Sequence, residues 1–127
     1  MSVFDVLNAM RSELPGFISS SVVGFENGLQ LACISEVDAD DSAAADAFHS
    51  NVYRATARAL GEVGSSTPTA EGIVIMGDKH VFLSVPLDES FFWHVVTHSE
   101  TTLGFTQAVM RKHRDAMRNE LRDLFSR

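Results

Sequence analysis

Apolar and polar positions in this chain change period in blocks, and a turn residue stands at nearly every change. Val3, Leu7, Met10 and Leu14 recur at three- and four-residue steps, the spacing of one helix face. Ser2 can cap this helix, with Asp5 three residues on. Pro15 and Gly16 end it, so a first helix is predicted over residues 2–14. Phe17 to Gly24 reads as a strand and Leu29 to Ser35 as its partner. Between them, residues 25–28 carry the Asn27-Gly28 pair that a tight hairpin turn prefers. The second strand alternates only raggedly, with Leu29, Leu31 and Cys33 against Gln30, Ala32 and Ile34, as if both faces were partly covered.

An acidic, alanine-rich helix follows. Asp38, Asp40, Asp41 and Ser42 supply cap candidates and negative charge at its start, and Gly61 or Gly64 stops it. It carries two apolar stripes. Ala45, Phe48, Val52, Ala55, Ala59 and Val63 form the first. His49, Tyr53, Thr56 and Leu60 form an adjoining shoulder, and Asp46, Ser50, Arg54 and Arg58 fill the rest of the circumference. The shoulder is either the flank of one wide apolar face or the seat of a second helix. Residues 64–69 read as a loop. Three strand-like runs come next, Ala70 to Gly77, His80 to Pro86 and Phe91 to His98, spaced as an antiparallel meander. The last run is bulky on both faces, which predicts a central strand. A final helix is capped by Thr101 or Thr102 and buries Leu103, Thr106, Met110, Met117, Leu121 and Leu124. Arg114 falls inside that stripe and must find a partner for its head.

Composition narrows the function classes. The chain has 127 residues, 45% of them hydrophobic, which suits one folded domain over residues 1–127. No apolar run is long enough to cross a bilayer, and the N-terminus shows no basic region before an apolar stretch. The single cysteine, Cys33, has no internal partner for a disulfide, and a cytoplasmic location is expected. A net charge of −7 argues against a nucleic-acid partner. Residues 111–127 run the other way, with six Lys/Arg, which is either complementation of a helix C-terminus or a docking strip for an acidic surface.

Catalytic patterns do not emerge. The chain has no P-loop signature, and Gly61 and Gly64 follow a helix rather than opening one. His94 and His98 are four residues apart on one strand, roughly 13 Å, too far to share an ion. Cys33 in an apolar strand reads as a small hydrophobe. Asp40 and Asp41 read as caps, and Ser19, Ser20 and Ser21 lack the turn of a nucleophile elbow. Neither an enzyme activity nor a cofactor or metal is expected.

The order helix–strand–strand–helix–strand–strand–strand–helix over residues 2–125 resembles the Roadblock family. Leu14, Pro15 and Gly16 before the first strand, Ser21 to Gly24, and the turn at Asn27, Gly28 and Leu29 look like its opening signature. The helix after Asp38 resembles its second helix, and Gly72 to Met76 leading to Val81, Phe82 and Leu83 looks like its central meander. The resemblance implies an α+β fold: a five-stranded antiparallel sheet with the second helix on one face and the first and last on the other. It also implies a homodimer paired through the edge strand Glu71, Ile73, Val74, Ile75, Met76 and through the second helices. The shoulder of His49, Tyr53, Thr56 and Leu60 would then pack across the two-fold axis. The edge strand lacks the Lys or Pro that usually protects one. Family members typically accompany a small Ras-like GTPase and regulate it, while others are adaptors in signalling or motor assemblies. The family lends no catalytic residue. The implied function is a non-enzymatic, dimeric GTPase regulator. Its second-helix face, with Asp46, Ser50, Arg54 and Arg58, would meet the partner, and Arg54 or Arg58 is a conceivable arginine finger. A passive scaffold is the rival reading. A small-molecule sensor is disfavoured by Phe91, Phe92, Trp93 and Phe105, which should fill the core.

Overall fold

The computed structural model describes residues 2–64 and 72–126, with the backbone alone for residues 39–43. The elements are α1 (Val3–Glu13), β1 (Phe17–Gly24), β2 (Gln30–Ser35), α2 (Ala39–Glu62), β3 (Ile73–Met76), β4 (His80–Pro86), β5 (Phe91–His98) and α3 (Leu103–Phe125). The strands form one antiparallel sheet in the order β2-β1-β5-β4-β3. The predicted α+β architecture and element order are therefore present.

Local chemistry explains the boundaries. Ser2 caps α1 in a full capping box: the Asp5 N–H donates to Ser2 Oγ at 3.2 Å, and the Ser2 N–H donates to Asp5 Oδ2 at 2.7 Å. Gly16 has a φ of +78°, and a Cβ there would stand 2.2 Å from Thr101 Oγ1, so only glycine fits the join of α1 to β1. Thr102 caps α3 by accepting from the Phe105 N–H at 3.3 Å. The capping role expected of Asp40 and Asp41, and the edge position expected of Glu71, lie outside the described side chains.

The β1–β2 connection differs from the expected tight turn. Only Gly28 has positive φ, +67°, so Asn27-Gly28 does not make the two-residue primed turn. Residues 25–28 form a longer loop. The Gly28 N–H reaches the Gly24 carbonyl at 3.1 Å, and the Leu29 N–H donates to Asn27 Oδ1 at 2.9 Å. The cause is Phe25, which leaves the ladder to pack edge-on against Tyr53 at 4.8 Å and beside Phe92 at 5.3 Å.

The core sits mainly between the sheet and the α1–α3 pair. Val6, Leu7 and Met10 of α1 meet Met110, Met117 and Leu121 of α3 over Val22, Ala32, Leu83, Trp93 and Val95. Trp93 Nε1 donates to Ser20 Oγ at 2.8 Å, so this buried indole keeps its polar bond. Arg114 finds its partner in the Pro86 carbonyl at 3.0 Å, and Arg118 in that of Leu87 at 2.9 Å. Lys112 and His113 both reach Glu13, and Lys112 in particular holds that carboxyl below its ordinary range. Much of the basic C-terminal run is thus engaged within the fold. Phe105 and Leu124, expected inside, are about half exposed.

Candidate functional site

Among the described elements α2 lies alone on the other face of the sheet, and it is mounted the opposite way round from expectation. The middle of the sheet face beneath it is polar, with Ser19 and Ser21 of β1, Gln30 of β2, Ser84 of β4 and His94 of β5, while Val23, Phe82 and Phe92 on the same face are apolar. A polar floor takes the polar side of a helix. Asp46 and Ser50, expected to face a partner, are buried against it. Gln30 Nε2 donates to Asp46 Oδ2 at 2.7 Å, and Ser50 Oγ donates to the Phe25 carbonyl at 2.7 Å.

The shoulder expected across a two-fold axis also turns inward. Tyr53 is 1% exposed and packs on Phe25 and Phe92. His49 stacks on Phe82 at 4.7 Å and on His94 at 4.2 Å. Leu60 lies against the same small cluster as Tyr53, and the Thr56 hydroxyl donates back to the Val52 carbonyl at 2.8 Å. His49, Tyr53 and Leu60 hold α2 to its own sheet. Arg54 is engaged within the protomer as well. Its guanidinium donates to the carbonyls of Phe25 and Glu26, to Ser50 Oγ and to Asn51, so it staples the β1–β2 loop and is not free to act as a finger. Of the four polar positions expected to meet a partner, Arg58 alone is exposed.

The buried polar layer has defined electrostatics. His94 Nδ1 shares a hydrogen bond with Ser84 Oγ at 2.9 Å, and His94 Nε2 stands 4.0 Å from Asp46 Oδ1. Burial, with His49 beside it, pushes the His94 imidazole well below its ordinary value, so it is neutral. Burial raises the Asp46 carboxyl, opposed by the nearby Ser21 hydroxyl and by the hydrogen bond from Gln30. Among the described residues no group of three His, Cys, Asp or Glu is arranged to hold a metal ion.

What α2 turns outward is its apolar stripe. Phe48 is 70% exposed, Val63 81%, and Val52, Ala55 and Ala59 between them are exposed or half-exposed. Periodicity alone would place this stripe inside. The signal that could have reversed that expectation is the polarity of the strands: Ser19 and Ser21, two apart in β1, and His94 in β5 share one sheet face. Beside α2, β3 forms a sheet margin that, among the described residues, pairs only with β4, with Ile73 and Ile75 half-buried on the α2 side and Val74 and Met76 exposed on the other. No Lys or Pro guards it.

No protein-family model and no curated protein sequence matches this chain. Solved structures do. A Roadblock/LC7 domain from Streptomyces avermitilis superposes with a TM-score of 0.82 at 15% identity, over 95% of this chain and 98% of that one. MglB from Myxococcus xanthus gives 0.84 at 13% identity, over 96% and 89%. The gliding protein MglB from Thermus thermophilus gives 0.81 at 14% identity, over 93% and 87%. At these identities the likeness is one of architecture, and it spans nearly the whole of each chain. With its α-β-β-α-β-β-β-α order and lone second helix, this protein has the roadblock fold.

Proposed function

We propose that this protein is a non-enzymatic homodimeric regulator of a small Ras-like GTPase. The carrying observation is the outward apolar stripe of α2 beside the bare margin of β3. A monomer in water would leave Phe48, Val52 and Val63 wet next to unpaired backbone groups. Pairing β3 with β3 of a second copy lays the two α2 helices side by side and covers both at once. The interface is then Phe48, Val52, Ala55, Ala59 and Val63 with residues 73–76. His49, Tyr53 and Leu60 support it from behind. The roadblock fold and the likeness to MglB favour a GTPase as the client of such a platform. Arg58, exposed on α2, is the polar contact that remains available to it.

Two measurements test the proposal. Sedimentation at micromolar concentration should give a dimer, and the organism's own small Ras-like GTPase should change its GTP turnover when the protein is added. A monomer at that concentration removes the platform, and a dimer without binding or rate change removes the regulatory role. Passive scaffolding is the second reading. It predicts binding that does not distinguish GTP from GDP.

A further inference from the structure

Where α2 passes over the sheet, Ile18, Val37, Ala45, Phe82 and Val96 wall a small cleft of about 160 Å³. Its described polar lining is His80 at the exposed rim and, deeper, the buried Ser19, Asp46 and His94. The large rings expected to fill the core leave this space clear. Trp93 packs on the α1–α3 side of the sheet, and Phe92 lies in the Tyr53 cluster.

His94 is fully buried, and its Nε2 has no hydrogen-bond partner among the described residues. Its Nδ1 is taken by Ser84 Oγ, and His49 packs against the ring at 4.2 Å. Asp46 accepts from Gln30 at Oδ2 and holds Oδ1 4.0 Å from His94 Nε2. That separation is too long for a direct hydrogen bond, and one oxygen atom set beside the gap can bond to both. An unpaired buried polar atom is costly, so the gap calls for an occupant.

We propose that this cleft binds a small neutral molecule made of one six-membered ring and one hydroxyl group, a phenol or a cyclic alcohol. Volume sets the size, since a cavity of about 150 Å³ holds one benzene ring. A drug-sized ligand needs roughly twice that or more. The apolar walls take the ring, and the polar pair takes the hydroxyl. With Ser84 donating to Nδ1, neutral His94 carries its proton on Nε2 and donates to the hydroxyl oxygen. The hydroxyl donates in turn to Asp46 Oδ1. An anionic ligand is rejected, because it would bring a second negative charge against Asp46. The site lies between α2 and the sheet of one protomer and does not depend on the dimer or on a GTPase.

The test is titration of the full chain with phenol, read by two-dimensional amide NMR, with toluene and benzoate as ring-matched controls. Phenol should bind with Kd on the order of 1 mM, as a ligand this small can, and shift the amides of Ala45, Asp46, His94 and Val96 most. Toluene leaves His94 and Asp46 unpaired and should bind at least tenfold more weakly, as should benzoate. Asp46→Asn keeps an acceptor for Gln30 but turns a donor toward the ligand, and it should weaken phenol binding at least tenfold. Ala45→Leu fills the cleft from α2 without touching the polar pair and should abolish binding. Absence of a saturable shift well above that concentration means that water alone fills the gap, and it overturns the proposal. So do toluene or benzoate binding as tightly as phenol, shifts centred elsewhere, and phenol binding that survives Ala45→Leu.

Discussion

His94 shows how one buried side chain sets a pH dependence. In the fold it is fully buried and neutral, whereas an unfolded chain titrates it at about 6.5. Its folded value is depressed, so below about pH 6.5 the unfolded state takes up a proton that the folded state refuses. The associated stability is whole above that pH and is lost as pH falls through it. Asp46 works in the opposite sense and lower on the scale. Its raised carboxyl means that the cost of burying a carboxylate is relieved as pH falls toward 3.8. Urea unfolding at pH 7.5 and 5.5 should therefore show a drop in midpoint for the native sequence. His94→Gln, which keeps a polar side chain toward Ser84 but cannot titrate, should flatten that drop. An equal drop in both proteins would place the titration elsewhere. Gly28 carries a residue-scale prediction of another kind. A Cβ there would stand 3.2 Å from the Ala47 backbone, at a φ that L residues resist. Gly28→Ala should cost about 1–2 kcal/mol in the same assay. Gly104→Ala, on the open side of α3 with nothing within 4 Å, should be neutral or stabilising by up to about 1 kcal/mol.

At the scale of elements, α2 separates what the sequence could tell from what it could not. Its existence, its ends and its two stripes are legible in periodicity, as are β1, β4, β5 and the caps of α1 and α3. Which stripe faces inward is not, because amphipathicity fixes a helix's orientation only relative to the surface beneath it. Here the part of that surface under Asp46 and Ser50 is polar, and these two go where an apolar floor would have drawn Phe48 and Val52, while Tyr53 meets the apolar part at Phe92. The loop at residues 25–28 escapes local pattern for a related reason: Phe25 is drawn to Tyr53 and Phe92, residues far away in the chain. Two substitutions on the one helix separate the faces. Tyr53→Ala removes a buried ring and should cost about 3–5 kcal/mol, read as a lowered urea midpoint. Phe48→Glu, at a position 70% exposed, should leave the fold of the protomer intact and shift sedimentation from dimer to monomer. If Phe48→Glu unfolded the chain while Tyr53→Ala were silent, α2 would have to be mounted with its apolar stripe inward after all.

Among the described residues, the whole molecule presents a sheet that ends at β3 and one helix, α2, whose outer face is apolar and exposed. Element order was enough to foresee the roadblock fold, because order and spacing survive where identity has fallen to 13–15%. The partner-facing residues were not foreseeable in the same way, since each depends on which groups the assembled sheet leaves over. Asp46, Ser50 and Arg54 are consumed by the protomer, and Arg58 is left over. That contrast sharpens the expectation for a GTPase complex. A regulator that acts on the switch conformation must bind one nucleotide state more tightly, since a ligand with equal affinity for both states shifts nothing. Titration of the cognate GTPase loaded with a non-hydrolysable GTP analogue, and separately with GDP, should differ in Kd by at least tenfold. Arg58→Glu should weaken the tighter complex several-fold while sedimentation still reports the dimer. Arg54→Met should act differently, loosening residues 25–28 and lowering stability before it affects binding. Equal affinities for the two nucleotide states, with the dimer intact, would instead identify a platform that gathers partners without acting on them.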